Sequence, residues 1–149
     1  MKPKIRVTAI LIENGKILLV EQLVSTFQDR QWSLPGGTVE FGETLENCLV
    51  REIKEETGLE IEPDKLIYVC DRIEADKHVV HITFTVKRTG GNLQLGIEPE
   101  STANPIKSVK MVPIRSLREY GFSQRFFERV IAGFPECGTY QGSVRNIGL

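Results

Sequence analysis

Four glutamates and one arginine between positions 37 and 58 could do chemistry together: Glu43, Arg51, Glu52, Glu55 and Glu56. Glu52, Glu55 and Glu56 stand at i, i+3 and i+4, the spacing that makes side chains neighbours on a helix. Three carboxylates so placed repel one another, and at the C-terminal end of a helix the macrodipole also disfavours them. A hard cation with oxygen ligands offsets both effects, and Mg2+ or Mn2+ suits clustered carboxylates. Such an ion orients phosphate oxygens, neutralises developing charge and generates hydroxide from bound water. Hydrolysis of a phosphoanhydride needs those three things and little covalent help. The plainer alternative is a surface helix whose glutamates are simply solvated, the usual meaning of a lone E-x-x-E-E.

The local sequence supplies the helix that would carry them. Thr44 can cap its start, Leu45–Glu56 contains no Gly or Pro, and Gly58 stands where a C-terminal cap belongs. At about 100° per residue, Leu45, Cys48, Leu49 and Ile53 fall within an arc of roughly 140°. Glu52 and Glu56 share that arc and Glu55 lies just beyond it, so acid follows the apolar stripe inward.

In register with these residues the chain also has Gly37 and the apolar Ile53 and Leu59, giving the pattern G-x5-E-x7-R-E-U-x-E-E-x-G-U from Gly37 to Leu59, where U is a bulky apolar residue. This resembles the signature of the Nudix hydrolases at every fixed position, and Trp32-Ser33-Leu34-Pro35-Gly36 is similar to the usual approach to that signature. The resemblance implies an α/β/α sandwich around a central mixed β-sheet, with the motif forming a loop-helix-loop. It implies Glu52, Glu55 and Glu56 and the carbonyl of Gly37 as metal ligands, with Glu55 alternatively a base. Arg51 is implied to pair with glutamates, Glu43 among them, and Gly58 to serve the turn. Many members take their general base from a loop outside the motif, which makes Glu98 and Glu100 candidates; both are equally readable as solvated acids on a polar loop. His78 and His81 read as strand surface residues rather than bases.

The remaining chain reads as strands with one more helical region. Ile5–Ile12 and Lys16–Val20 form a hairpin at Asn14-Gly15. Gln22–Gln31 is a polar loop that either contacts substrate or merely connects. Trp32–Leu34 is a short strand, Pro35-Gly36-Gly37 a tight turn and Val39–Phe41 a short extended piece. Leu66–Glu74 and Val79–Lys87 are strands, the second with Val80, Ile82, Phe84 and Val86 on one face. Gly90-Gly91 marks a turn and Asn92–Leu95 a short return, followed by an irregular stretch to Pro105. Lys107–Pro113 is a strand, Leu117–Tyr120 and Ser123–Ile131 are helical, and Gly133 onward is a loosely packed tail. No repeat or linker divides residues 1–149, so a single domain is expected.

Composition bounds the partners. Nineteen basic and 20 acidic residues give a net charge of −1, with no general attraction to nucleic acid or anionic membrane, so phosphate recognition must be local or metal-mediated. Glu13, Asn14 and Lys16 interrupt the first apolar run and no stretch has the length to span a bilayer; a cytoplasmic protein is expected. Cys48, Cys70 and Cys137 are odd in number and far apart, which favours free thiols over disulfides or zinc.

Substrate class rests on weaker signals. The proline typical of ADP-ribose pyrophosphatases is absent where the chain reads Cys70-Asp71-Arg72-Ile73-Glu74-Ala75, and the markers of the dinucleoside polyphosphate, NADH and coenzyme A groups are absent too. The chain is therefore most similar to MutT-type nucleoside triphosphate hydrolases, with ADP-ribose or a nucleotide sugar as the alternative substrate. Phe27, Trp32, Phe41 and Phe84 could stack on a base or belong to packing. A non-catalytic nucleotide-binding role is the alternative of another class, and the resemblance allows a homodimer.

Overall fold

The computed structural model describes residues 2–22, 30–94 and 106–149. Its strands are β1 (Lys4–Ile10), β2 (Ile12–Glu13), β3 (Lys16–Gln22), β4 (Trp32–Ser33), β5 (Gly36–Thr38), β6 (Leu59–Glu74), β7 (Lys77–Gly91), β8 (Ile106–Pro113) and β9 (Thr139–Ser143). The helices are α1 (Leu45–Thr57) and α2 (Gln124–Ile131), with 3-10 helices at Ile114–Tyr120 and Val144–Ile147. Five strands form a mixed sheet in the order β5-β1-β7-β6-β9, in which β1 runs parallel to β7 and β6 parallel to β9. A second, antiparallel sheet joins β2, β3, β4 and β8.

Period-2 alternation sorts the apolar residues into two cores. Val7, Ala9 and Leu11, with Leu18 from β3, pack against Cys48, Leu49 and Ile53 of α1. Ile10, Ile17 and Leu19 face the opposite way and meet Phe122, Phe126 and Val130 around α2. The unbroken apolar run Ile17–Val20 is thus a strand buried on both faces. One helix on each side of the sheets gives the expected α/β/α layering, although the strands divide into two sheets rather than one.

Local signals located the helices and the hairpin well. Asn14 and Gly15 have φ of 52° and 73°, the pair of positive values that a two-residue hairpin turn requires, between β2 and β3. Thr44 caps α1 by accepting from the Asn47 amide at 3.0 Å, and Gly58 ends it in the left-handed conformation at φ 80°.

Several expected boundaries change because the deciding partners are distant. Gly36 and Gly37 do not turn: they form β5 and pair with Thr8 and Val7 of β1. Val39–Phe41 is no strand; the chain turns at Phe41-Gly42. The first expected strand breaks at Leu11, where the chain passes from one sheet to the other. β6 and β7 are longer than their apolar runs, and Gly90 and Gly91 lie inside the ladder opposite Glu60 and Leu59. Residues 92–94 form no strand, and Leu95 is outside the described residues.

The largest change is at the C-terminus. The expected loose tail contributes β9 to the sheet edge, and Phe134, Val144 and Ile147 are buried in the α2 core. Ser123 Oγ ties the segment down by donating to the Gly148 carbonyl at 2.6 Å. Ile147→Ala should therefore cost about 2–5 kcal/mol, the ordinary range for truncating a buried Ile. Urea denaturation checks this; a loss below about 0.5 kcal/mol, typical of surface positions, would return the segment to the status of a tail.

Candidate active site

The acidic half of α1 is organised by Arg51. Its Nε and Nη2 donate to the two carboxylate oxygens of Glu43 at 2.7 and 3.0 Å, a bidentate pair. Its Nη1 donates to Glu52 at 2.9 Å and, at 3.4 Å, to Glu55 one turn further on. Glu40 lies at the rim, with its carboxylate 3.8 Å from Nη2 and its amide donating to Glu43 at 3.1 Å. One guanidinium thus holds the loop before the helix against the helix itself.

Glu56 is placed by a different contact. It is buried, and its Oε1 accepts the Gly36 amide at 2.8 Å, joining the end of α1 to β5. Gly37 lies against Glu52 so closely that a Cβ on it would stand 2.1 Å from the Glu52 carboxyl carbon. A Cβ on Gly36 would stand 2.0 Å from the Val7 carbonyl oxygen. The two glycines are therefore required by close approach: β5 slides between β1 and the carboxylates of α1 only without side chains. Gly58, at the far end, leaves room for the Asn92 carbonyl, 2.5 Å from where its Cβ would be.

The electrostatics follow from this geometry. The hydrogen bonds from Arg51 hold the Glu43 carboxyl down at about 2. Burial pushes Glu52 above the usual carboxylate range, against the pull of Arg51 and reinforced by the charge of Glu55. The hydrogen bond to Glu43 pushes Arg51 still further up, so it stays charged. Cys48, buried beneath the pair, is pushed up to about 12 by burial and then by Glu43, which leaves it an inert thiol.

Among the described residues, no three His, Cys, Asp or Glu side chains converge as a metal cluster. Glu52 and Glu55 are turned toward Arg51 and Glu56 toward the Gly36 amide. The donor set still fits a hard divalent ion: it is all oxygen, and the missing side chain of Gly37 brings its backbone onto the Glu52 carboxylate. Glu52, Glu55, Glu56 and the Gly37 carbonyl would hold it.

The other sequence candidates separate. Glu98, Glu100 and Phe27 lie outside the described residues. Trp32 packs edge-on against Tyr120, ring centroids 5.0 Å apart, at the margin of the α2 core. Phe84 packs into the α1 core and Phe41 is fully exposed on its turn. Cys48 and Cys70 are buried and Cys137 exposed, all free.

His81 pairs in register with Arg6 of β1 and Cys70 of β6, on the sheet face opposite α1. Burial, then the charges of Arg6 and Arg72, pull it down to about 4. Its unfolded-state pKa is near 6.5, so as pH falls from about 6.5 toward 4 the unfolded chain takes up a proton that the folded chain refuses. Stability drops across that window. His81→Gln should flatten the drop, as read by denaturant midpoints measured between pH 7 and 4; an unchanged pH profile would contradict the assignment.

The NUDIX domain family matches residues 2–130 of the chain. An ADP-ribose pyrophosphatase of Methanocaldococcus jannaschii is 40% identical over 98 residues, covering 64% of this chain and 57% of that protein. The phosphatase NudJ of Escherichia coli is 34% identical over 76 residues, covering 51% of this chain and 48% of that protein. This chain thus spans about half the length of these two relatives. A crystal structure of a MutT NUDIX hydrolase from Burkholderia pseudomallei superposes with a TM-score of 0.63 at 26% identity, covering 77% of this chain and 86% of the other. With a complete motif, glycines packed onto its glutamates and a match over residues 2–130, the chain belongs to the NUDIX domain family.

Proposed function

We propose that the protein hydrolyses a phosphoanhydride bond in a nucleoside diphosphate linked to another group, with Mg2+ or Mn2+ as cofactor. The observation that carries this reading is the acidic end of α1: Arg51 bridges Glu43, Glu52 and Glu55, while Glu56 is held on the Gly36 amide beside Gly37. A divalent ion bound there supplies charge neutralisation and an activated water. The chain itself supplies the rest. Arg51 keeps the carboxylates within one turn of each other and offsets their repulsion when no ion is present. The Gly36 amide fixes Glu56, and the missing side chain of Gly37 lets its backbone lie close against the Glu52 carboxylate. Glu55, the most exposed of the three glutamates flanking or following Arg51 on α1, is the one placed to take a proton from water.

The absence of subfamily markers favours a nucleoside triphosphate as substrate, cleaved to the monophosphate and pyrophosphate. ADP-ribose is the second reading, favoured by the name of the 40%-identical relative. A domain that only binds nucleotides is disfavoured, because every glutamate of the motif is present.

Release of phosphate and pyrophosphate should be measured with Mg2+ across nucleoside triphosphates, oxidised guanine nucleotides, ADP-ribose, nucleotide sugars and dinucleoside polyphosphates. Hydrolysis of a preferred member, abolished by a chelator, is the expected result. Glu56→Gln should lower kcat by at least about 100-fold, the scale on which lost electrostatic stabilisation registers. The fold should persist, because the amide oxygen can still accept from Gly36. Full activity in that variant would remove Glu56 from the ligand set, and silence across the panel in folded, metal-binding protein would overturn the hydrolase reading.

A further inference from the structure

Alternation along β1 sends Val7 and Ala9 to α1 and turns Arg6 and Thr8 to the opposite face of the sheet. Across the ladder Arg6 meets His81 of β7, and His81 meets Cys70 of β6. Arg72, two residues after Cys70, shares that face and pairs in register with Val79, which makes it the diagonal neighbour of His81. The row crosses three adjacent strands, with an arginine on either side of the imidazole. One step inward the face closes, because Thr8 and Thr83 pair in register and bond through their hydroxyls at 2.8 Å. Both threonines are buried, whereas Arg6, His81 and Arg72 are partly exposed.

Positive charge accumulates along this row. The charges of Arg6 and Arg72 both bear on His81, and that of Arg72 bears on Arg30. Arg30 is buried just before β4, with its guanidinium 4.4 Å from the centre of the Phe122 ring. Glu74 lies 3.2 Å from Arg72 and offsets part of the charge. Among the described residues, the Arg6 guanidinium and the His81 ring make no hydrogen bond or ion pair. Like charges gathered on one face repel one another, and an anion held between them removes that cost. Guanidinium forks match phosphate oxygens two at a time.

The row begins at the motif and leads away from it. Arg6 pairs in register with Thr38 of β5, next to Gly37, and its charge is felt at Glu52. At about 4.8 Å per strand, β7 lies roughly 10 Å from β5 and β6 roughly 14 Å. The two phosphates of one anhydride share a bridging oxygen and stay closer together than that. A group seated over His81 is therefore a separate one. We propose that Arg6, Arg72 and Arg30, gathered around His81, bind a phosphate monoester that the substrate carries in addition to its scissile anhydride; the inference rests on the hydrolase reading above. The imidazole, uncharged at neutral pH, adds one N–H donor. The substrate class narrows to nucleotides with a second, separate phosphate.

The test uses the full chain with Mg2+ on pairs of compounds that differ by one phosphate monoester: NADPH and NADH, coenzyme A and dephospho-coenzyme A, 2′-phospho-ADP-ribose and ADP-ribose. In at least one pair the phosphorylated member should have a kcat/KM about tenfold higher, carried by KM, the equivalent of one charged hydrogen bond. Arg6→Gln and Arg72→Gln should each bring that ratio close to one. Arg6→Lys, which keeps the charge and loses the fork, should give a ratio in between. Arg88→Gln removes an exposed arginine paired with Glu13 and should leave the ratio unchanged. Equal kcat/KM within every pair that is turned over, or a ratio that Arg6→Gln leaves intact, would overturn the site. Calorimetry without metal separates this result from the hydrolase reading, with adenosine 2′,5′-bisphosphate and AMP as probes. Tighter binding of the bisphosphate, lost in Arg6→Gln, in a protein that hydrolyses none of the pairs keeps the site and rejects the hydrolase. Hydrolysis with no preference for either probe does the reverse, and indifference without hydrolysis rejects both.

Discussion

The bidentate pair between Arg51 and Glu43 is the constraint on which the acidic end of α1 depends. Four carboxylates, two from the loop before α1 and two on it, lie within 3.8 Å of that guanidinium. Without a cation among them, burial and mutual repulsion would drive some to protonate or the helix end to open. Arg51 is strapped to Glu43 by two of its nitrogens and has a third left for Glu52 and Glu55. The position of the loop before α1 and the spacing of the acids along it are therefore fixed by one side chain.

The second requirement is steric. β5 is three residues long and starts with two glycines, lying between β1 and the carboxylates of α1. Its backbone amide reaches Glu56 and its backbone crowds Glu52, contacts that any side chain at Gly36 or Gly37 would prevent. The same segment reads as a turn when only its neighbours in sequence are considered, because Pro-Gly-Gly is a turn signal and the partners that make it a strand, Val7 and Thr8, are 28 to 30 positions away. The glycines serve close approach rather than a reversal of direction.

A helix and a hairpin are legible in sequence because their signals are local. Thr44 and Gly58, at the two ends of the uninterrupted run to Thr57, each bond a partner within four residues, Asn47 and Lys54, and Asn14-Gly15 defines its own turn. The C-terminal segment is the opposite case. β9 is polar, so it carries no alternating pattern, and it becomes a strand only because β6, some 70 residues earlier, offers an edge. The segment's buried apolar residues, Phe134, Val144 and Ile147, are too sparse to predict a core that is completed by Phe122 and Phe126.

The sequence by itself determined the helix, the identity and spacing of its carboxylates and the arginine among them, since these follow from side-chain periodicity on one short element. Tertiary structure decided where those carboxylates point: Glu52 and Glu55 to Arg51, Glu56 to the Gly36 amide. It also decided that Gly36 and Gly37 pair with Thr8 and Val7 as a strand rather than forming a turn. The reason is that strand pairing and close packing are contacts between distant segments, and no local pattern encodes which distant backbone will arrive.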